Sequence, residues 1–266
     1  MHGRNGFANV NGTQLYYEIT GEGPPLVLIH GFALDRRMWD EQLPAFTPAY
    51  QVIRYDLRGF GWSAVPSAER YAHCEDLQAL LDYLQVEQAH ILGLSLGGGI
   101  AVDFAAAYPE RTANLILAGT SALDGYEWPD ELAGWFAQLA AAAHSGDMAL
   151  AKERWLSCGW FVHAQRQPAV MAQLWQMAAD YSGWHFLHKN PVRGLKPPAN
   201  ERLAEITAPT LVIVGAEDLS YYNLPLADRL ASQIPHAQKI VIPGVGHMVN
   251  MEAAARFNDV VLSFLR

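Results

Sequence analysis

Short apolar segments alternate with amphipathic ones along most of the chain. Residues 25–30 (PLVLIH) carry no polar alternation, which is typical of a strand buried on both faces of a parallel sheet. Residues 71–84 instead place leucines at three- and four-residue spacing, which predicts an amphipathic helix. Strands that alternate with helices in this way form βαβ units, so we predict an α/β fold. The other predicted strands are 50–55, 89–93, 113–118, 210–214 and 239–242, and the other predicted helices are 97–108 and 253–265.

The beginning of the chain has the pattern of a β-hairpin. Residues 7–10 and 14–19 flank the dipeptide Asn11-Gly12, which favours a two-residue turn because both positions tolerate positive φ. With this hairpin the predicted sheet has eight strands and is mostly parallel, with helices on its flanks.

One long segment interrupts the alternation of strands and helices. Residues 121–200 contain no convincing strand, hold six of the eight tryptophans and include an alanine-rich helical run near 137–143. The segment ends at a Lys-Pro-Pro sequence, 196–198, which is typical of a boundary. We therefore predict a helical insertion after the sixth strand, at 121–200, in a core made of residues 1–120 and 201–266.

Composition excludes several classes of protein and partner. Of 266 residues, 51% are hydrophobic and 17% charged, which is too apolar for a disordered chain. The formal net charge of −9 supplies no basic stripe for nucleic acid, and two cysteines cannot build a disulfide scaffold. The amino terminus shows no secretory signal and no apolar run is long enough to span a bilayer, so a cytoplasmic protein without membrane contact is expected.

The sequence GLSLG at residues 93–97 is the strongest chemical signal. It lies between a predicted strand and a predicted helix, which is the context of a nucleophile elbow. A serine on such a turn has a strained backbone, so its neighbours two residues away must lack side chains. We predict that Ser95 is a nucleophile at the carboxyl end of the sheet.

A serine nucleophile needs a base, and the base needs an acid to orient it. Asp218 and His247 each follow a predicted strand, so both fall at the same edge of the sheet as Ser95. We predict that Ser95, His247 and Asp218 are catalytic. Asp124 and Glu217 remain alternative acids.

A second loop at this edge supplies candidate donors for an oxyanion. Residues 30–32 (HGF) directly follow the third strand, and we predict that the backbone N–H groups of Phe32 and Leu96 form the oxyanion hole. His30 is interpreted as a buried residue that shapes the loop through backbone hydrogen bonds.

No cofactor or metal is predicted. The chain has neither a phosphate-binding loop nor a Gly-x-Gly-x-x-Gly sequence after a strand. His185 and His188 are three residues apart, but no third ligand is evident, so a surface or packing role is expected for both.

The chain resembles the α/β-hydrolase superfamily over essentially its whole length. The resemblance implies that the 121–200 insertion is a cap, or lid, over the site, and that residues 56–63 form a structural turn without catalysis by Asp56 or Arg58. Haloalkane dehalogenases and epoxide hydrolases carry aspartate at the position of Ser95, so the serine disfavours both of these functions. The residues that carry the resemblance are 30–32 (HGF), 56–63 (DLRGFGWS), 93–98 (GLSLGG), Asp218 and His247.

Among serine members the chain is similar to small-ester carboxylesterases and enol-lactone hydrolases, which implies hydrolysis of an apolar ester or lactone. Carbon–carbon bond hydrolases of ring-cleavage products usually carry Asn and Trp where this chain has Leu94 and Met248. This difference disfavours the carbon–carbon reaction, which is kept as an alternative. A ligand receptor on the same fold that turns over its ligand slowly is a second alternative.

The expected partner is a small-molecule substrate, and the expected assembly is a monomer or homodimer. The acidic balance disfavours a strongly anionic substrate, unless Arg154 or Arg193 supplies local positive charge. The residues predicted to bind substrate are Phe32, Trp128, Trp160, Leu219 and Met248.

Overall fold

One mixed sheet forms the centre of the molecule. The computed structural model describes residues 3–219 and 221–266, and within them the sheet has eight strands in the order β1-β2-β4-β3-β5-β6-β7-β8. The strands are β1 Arg4–Val10, β2 Thr13–Thr20, β3 Pro25–Ile29, β4 Gln51–Tyr55, β5 Ala89–Leu94, β6 Thr112–Ala118, β7 Thr210–Gly215 and β8 Gln238–Ile242.

The sheet is antiparallel at one edge and parallel elsewhere, as the sequence predicts. β1 pairs with β2, and β2 with β4, in antiparallel register, whereas every pairing from β4 through β8 is parallel. Asn11 (φ 46°) and Gly12 (φ 68°) form the turn of the first hairpin. Positive φ at both positions matches the right-handed twist of the flanking strands.

Helices cover both faces of the sheet and fill the connection between β6 and β7. Residues 121–200, all of them described, contribute no strand to the sheet, and four of the α-helices lie within this segment. Over the described residues the α-helices are α1 Leu43–Phe46, α2 His73–Tyr83, α3 Leu96–Ala107, α4 Asp130–His144, α5 Met148–Leu156, α6 Pro168–Asp180, α7 Trp184–Leu187, α8 Asn223–Gln233, α9 Val249–Glu252 and α10 Ala254–Leu265.

The parallel strands lie inside a continuous apolar core. β7 is buried at all six positions, and β3 at four of its five, because helices pack on both sides of them. The two cysteines, Cys74 and Cys158, are free thiols that pack within this core. No helix in the described part of the chain has the length and hydropathy needed to cross a bilayer.

Candidate active site

Ser95 lies on the sharp turn that joins β5 to α3. Its backbone has φ 57° and ψ −117°, a left-handed conformation that is strained for any residue with a side chain. A Cβ atom added to Gly93 would collide with the backbone of Gly97, and one added to Gly97 would collide with the carbonyl of Ile29. Glycine is therefore required on both sides of Ser95, as the sequence predicts.

The strained turn is held by backbone hydrogen bonds to the neighbouring strand. The N–H of Ser95 donates to the carbonyl of Ala118 over 3.0 Å, and the N–H of Ser121 donates to the carbonyl of Ser95 over 3.1 Å. A strained residue persists only where its surroundings over-determine it, and the end of β6 together with the loop that follows it supplies that restraint.

His247 and Asp218 form a buried hydrogen-bonded pair beyond the ends of β8 and β7. Nδ1 of His247 lies 2.9 Å from Oδ2 of Asp218, and the two residues are 3% and 5% exposed. An ionised carboxylate only accepts hydrogen bonds, so Nδ1 carries the proton and Nε2 is left as the acceptor. The other oxygen of Asp218 accepts the N–H of Leu219 over 2.7 Å, which fixes the plane of the carboxylate.

The structure brings Ser95 and His247 to one place. Both line a narrow crevice between the turn after β5 and the loop after β8, and Met248 lines it beside them. The alternative acids lie elsewhere. Asp124 accepts the N–H of Leu195 over 3.1 Å, and Glu217 lies 4.0 Å from His163.

Glu252 holds the loop that carries His247, a role that the sequence interpretation missed. Its carboxylate accepts the N–H of Gly246 over 2.7 Å and the N–H of Met248 over 3.0 Å, one bond on each side of the histidine. The signal was present in the sequence as an acid five residues after His247, but spacing alone does not show that it binds backbone rather than solvent.

Replacing Glu252 by glutamine is expected to lower kcat about tenfold and leave KM unchanged, because one charge-assisted hydrogen bond of about 1.5–3 kcal/mol is lost. Only one oxygen of the amide can accept, so Gly246 or Met248 loses its acceptor and His247 is less well positioned. Steady-state kinetics on one substrate measure both constants. Glu87 is exposed, so Glu87→Gln serves as the control, and an equal loss of activity in that variant would contradict the assignment.

Phe32 and Leu96 present backbone N–H groups beside Ser95. Within residues 3–219 and 221–266, neither N–H donates to a protein acceptor, and both residues line the same cavity as Ser95. A Cβ atom added to Gly31 would lie 3.5 Å from Cβ of Ser95, so the loop after β3 is in close contact with the serine. The arrangement suits two donors that bind a negatively charged oxygen.

His30 shapes the loop after β3 without reaching Ser95. Its Nδ1 lies 2.8 Å from the carbonyl of Gly31, and its Nε2 accepts the N–H of Leu57 over 2.9 Å. Complete burial lowers the pKa of His30, so the ring stays neutral. Both nitrogens are occupied by backbone groups, in agreement with a structural role.

An apolar cavity of about 350 Å³, here called the Ser95 chamber, lies over the serine. Of the residues predicted to bind substrate, Phe32, Trp128 and Trp160 line it, Met248 lines the adjacent crevice, and Leu219 packs against Gly159 instead. The sequence interpretation missed part of the wall. The residues that line the chamber are Phe32, Ser95, Leu96, Ser121, Ala122, Trp128, Ala133, Phe136, Trp155 and Trp160.

Trp160 connects the helical insertion to the core. Its Nε1–H donates to Oδ1 of Asn223 over 2.8 Å, and Nδ2 of Asn223 donates to Oγ of Ser121 over 2.8 Å. The indole ring also lies 5.6 Å from the ring of His247, centroid to centroid. Trp160 thus packs beside the candidate base and is joined to the loop after β6 through Asn223.

Replacing Trp160 by phenylalanine is expected to lower the free energy of unfolding by about 1–3 kcal/mol, because buried Oδ1 of Asn223 loses its donor. Urea unfolding followed by circular dichroism measures the change. Trp175 is 43% exposed, so Trp175→Phe is a matched control that should change stability by less than about 0.5 kcal/mol. Equal losses in the two variants would contradict this role of Asn223.

Among the described residues, no three His, Cys, Asp or Glu side chains are grouped so that they could hold a metal ion. His185 is half-buried and stacks on Phe60 with ring centroids 4.3 Å apart, whereas His188 is exposed and its Nδ1 atom lies 3.0 Å from the carbonyl of Trp184. These contacts agree with the packing and surface roles expected for the two histidines.

The chain is similar to known proteins both in sequence and in structure. A family model described as the alpha/beta hydrolase fold matches residues 24–254. The chain is 31% identical to a pimeloyl-acyl-carrier-protein methyl ester esterase of Yersinia enterocolitica, across 94% of this chain and 97% of that protein. It is 30% identical to a 2-hydroxy-6-oxononadienedioate/2-hydroxy-6-oxononatrienedioate hydrolase of Burkholderia vietnamiensis, across 96% of this chain and 92% of that protein.

A solved structure agrees with the sequence comparisons. The enol-lactonase of Burkholderia xenovorans LB400 superimposes with a TM-score of 0.80 and 28% identity, across 98% of this chain and 99% of that one. The relatives share a fold but are named for different hydrolytic reactions, so the reaction of this chain has to be argued from its own site.

Proposed function

This chain belongs to the α/β-hydrolase family, and from that premise we propose that it is a serine hydrolase that cleaves carboxylic esters and lactones. One observation carries the proposal: Ser95, on its strained turn, lines the same crevice as His247, which is already bonded to Asp218. A nucleophile, a base and an orienting acid are the groups that acyl transfer requires.

In the proposed mechanism Oγ of Ser95 attacks the ester carbonyl while Nε2 of His247 takes its proton. Asp218 keeps Nδ1 protonated and stabilises the imidazolium that forms. The imidazolium then protonates the leaving alkoxide, and a water molecule deprotonated by His247 releases the acid from the acyl-enzyme.

The negative charge of the tetrahedral intermediate is proposed to bind at the N–H groups of Phe32 and Leu96. Their freedom from protein acceptors supports this assignment. The 12-residue helix α3 begins at Leu96, and the positive end of its dipole favours an anion there.

We propose that residues 121–200 act as a cap over a core of residues 1–120 and 201–266. Trp128, Phe136, Trp155 and Trp160 from this segment line the Ser95 chamber, so the cap contributes most of its aromatic wall. A chamber of about 350 Å³ with such a lining suits a small or medium apolar acyl or alcohol group.

Labelling with a fluorophosphonate tests the proposed nucleophile. We expect one covalent adduct per chain, located on Ser95 by peptide mass spectrometry, together with steady-state hydrolysis of p-nitrophenyl esters. Ser121 lines the same chamber, so Ser121→Ala is a matched control that should still be labelled. An adduct elsewhere, or no adduct in a folded protein, would overturn the proposal.

Two further substrate tests separate the alternatives. The 30% identity to the Burkholderia vietnamiensis hydrolase favours a trial of ring-cleavage dienoates, whose yellow colour bleaches when the carbon–carbon bond breaks. Bleaching without turnover of any ester would assign the carbon–carbon reaction. Labelling of Ser95 without turnover of either substrate class would assign a ligand receptor.

A further inference from the structure

Three spaces lie in a row at the candidate active site. The crevice beside His247 and the Ser95 chamber have Trp155 and Trp160 as common walls. The Ser95 chamber in turn shares Leu96 with a further space of about 430 Å³, here called the second cavity. Among the described residues, Phe32 alone lines both the crevice and the second cavity. The Ser95 chamber therefore lies between the other two spaces.

The second cavity extends from the proposed oxyanion donors to the protein surface. Phe32 and Leu96 line its inner end, and at its outer end Val192 is 41% exposed. Gly125 and Gly194 line it too and are also exposed. A chain that starts at the reacting carbonyl and passes the inner end can therefore reach solvent. The apolar residues that line the second cavity, besides the walls it shares with the Ser95 chamber, are Phe60, Ile100, Leu123, Tyr126 and Val192.

The position of the base decides which half of an ester faces which space. Nε2 of His247 protonates the leaving alkoxide, so the alcohol oxygen lies on the crevice side of the reacting carbon. The carbonyl oxygen is proposed to lie at the N–H groups of Phe32 and Leu96, and Oγ of Ser95 takes a third position. Because the four substituents of a tetrahedral carbon point apart, the acyl chain is directed away from His247, toward the second cavity.

The walls beside the base favour an apolar alcohol. The ring of Trp160 lies 5.6 Å from the ring of His247, and Trp160 lines the Ser95 chamber as well as the crevice. Trp155 and Phe136 pack around it, with ring centroids 6.1 Å and 6.3 Å from that of Trp160. An alcohol group that leaves past His247 is thus surrounded by aromatic rings, which stabilise it by removing its apolar surface from water.

We propose that the two halves of the substrate occupy different cavities, with the alcohol half in the Ser95 chamber and the acyl half in the second cavity. The substrate class is then an ester of an apolar alcohol whose acyl chain has several carbon atoms beyond the carbonyl. Phe32, which lines all three spaces, lies where the two halves meet. This inference rests on the proposed ester hydrolysis and specifies its substrate.

Double inhibition of the wild-type protein tests whether two separate cavities are used. Benzyl alcohol stands for the alcohol half of the substrate, and octanamide, which is uncharged, stands for the acyl half. Each should inhibit hydrolysis of p-nitrophenyl acetate, and the two compounds should be able to bind at the same time. Plots of reciprocal rate against benzyl alcohol concentration should then intersect when octanamide is varied. Parallel lines, or a compound that does not inhibit, would overturn the proposal.

Two variants assign each half of the substrate to its cavity. Ala133 lines the Ser95 chamber and Val192 the second cavity, and both residues are exposed, so phenylalanine at either position narrows one cavity without disturbing the core. Ala133→Phe should lower the kcat/KM ratio of benzyl acetate to methyl acetate by at least about tenfold, a size of effect that apolar pockets achieve. It should leave the ratio of methyl octanoate to methyl acetate unchanged, and Val192→Phe should do the reverse. Exchanged effects, or a ratio that responds to both variants or to neither, would contradict the assignment.

A third exposed position provides the control for these variants. Val162 is 45% exposed and lines none of the three spaces, so Val162→Phe should leave both ratios as they are in the wild-type protein. Failure of the cavity assignment is distinct from failure of the proposed function. Hydrolysis of these esters with other inhibition or variant patterns refutes only the placement of the two halves, whereas a folded protein that hydrolyses none of them refutes ester hydrolysis itself.

Discussion

Replacing Ser95 by alanine is expected to lower kcat for ester hydrolysis about 10⁶-fold, the size of effect seen when a serine hydrolase loses its nucleophile. No acyl-enzyme can form, and only the oxyanion donors and substrate binding remain to accelerate direct attack by water. Hydrolysis of p-nitrophenyl butyrate at high enzyme concentration measures the residual rate, and Ser121→Ala provides the control within the same chamber.

The stability of Ser95 variants gives an independent check. Ser95 has φ 57°, which costs about 1–3 kcal/mol for a residue with a Cβ atom and nothing comparable for glycine. Ser95→Gly is therefore expected to be inactive but more stable to urea than Ser95→Ala. An inactive variant that is also strongly destabilised would mean that activity was lost through misfolding, and residual activity above about 1% of wild type would refute the role of Ser95 as nucleophile.

The parts of this structure that sequence predicts are those with a local physical cause. Asn11-Gly12 is a turn because both residues accept positive φ, and 93–97 is an elbow because side chains at its glycines would collide with backbone. The strand β3, Pro25–Ile29, is buried because no polar residue interrupts its apolar run. The alternation of these patterns suffices for the fold and for the position of Ser95.

The parts that sequence did not predict depend on packing between distant segments. Phe136 of α4 and Trp155 of α5 both line the Ser95 chamber because the two helices pack side by side over it. Phe136 lies ahead of the alanine-rich run, in the part of α4 that begins at Asp130. The second cavity beside it is lined by residues of α2, α3 and α7, which are distant in the sequence. Periodicity within one helix shows which face is apolar but not which residues of another helix it meets.

Arg154 and Arg193 are the two arginines that could bring local positive charge to the site. Arg154 donates to the carbonyl of Gln138, and Arg193 pairs with Glu75, so each guanidinium already has a protein partner. Neither residue lines the Ser95 chamber, so neither places its positive charge there. The expectation that strongly anionic substrates are disfavoured therefore still rests on the net charge of −9.

Replacing Asp218 by asparagine is expected to lower kcat about 10⁴-fold with little change in KM, because the wrong tautomer of the base is stabilised. The N–H of Leu219 is bonded to Oδ1 over 2.7 Å, so the amide oxygen of the substituted side chain stays on that donor and its NH₂ group faces Nδ1 of His247. Nδ1 must then accept, the ring proton moves to Nε2, and the base can no longer take the proton of Ser95. Steady-state kinetics on a p-nitrophenyl ester measure the loss.

The neighbouring acid offers a matched control for this prediction. Glu217 is exposed and its closest basic partner is His163 at 4.0 Å, so Glu217→Gln should retain activity within about twofold of wild type, as expected for a surface substitution. Fluorophosphonate labelling of Ser95 should be slowed in the Asp218 variant to a similar degree as ester hydrolysis, because both reactions need the base. A large effect of Glu217→Gln, with Asp218→Asn nearly neutral, would move the role of orienting acid from Asp218 to Glu217.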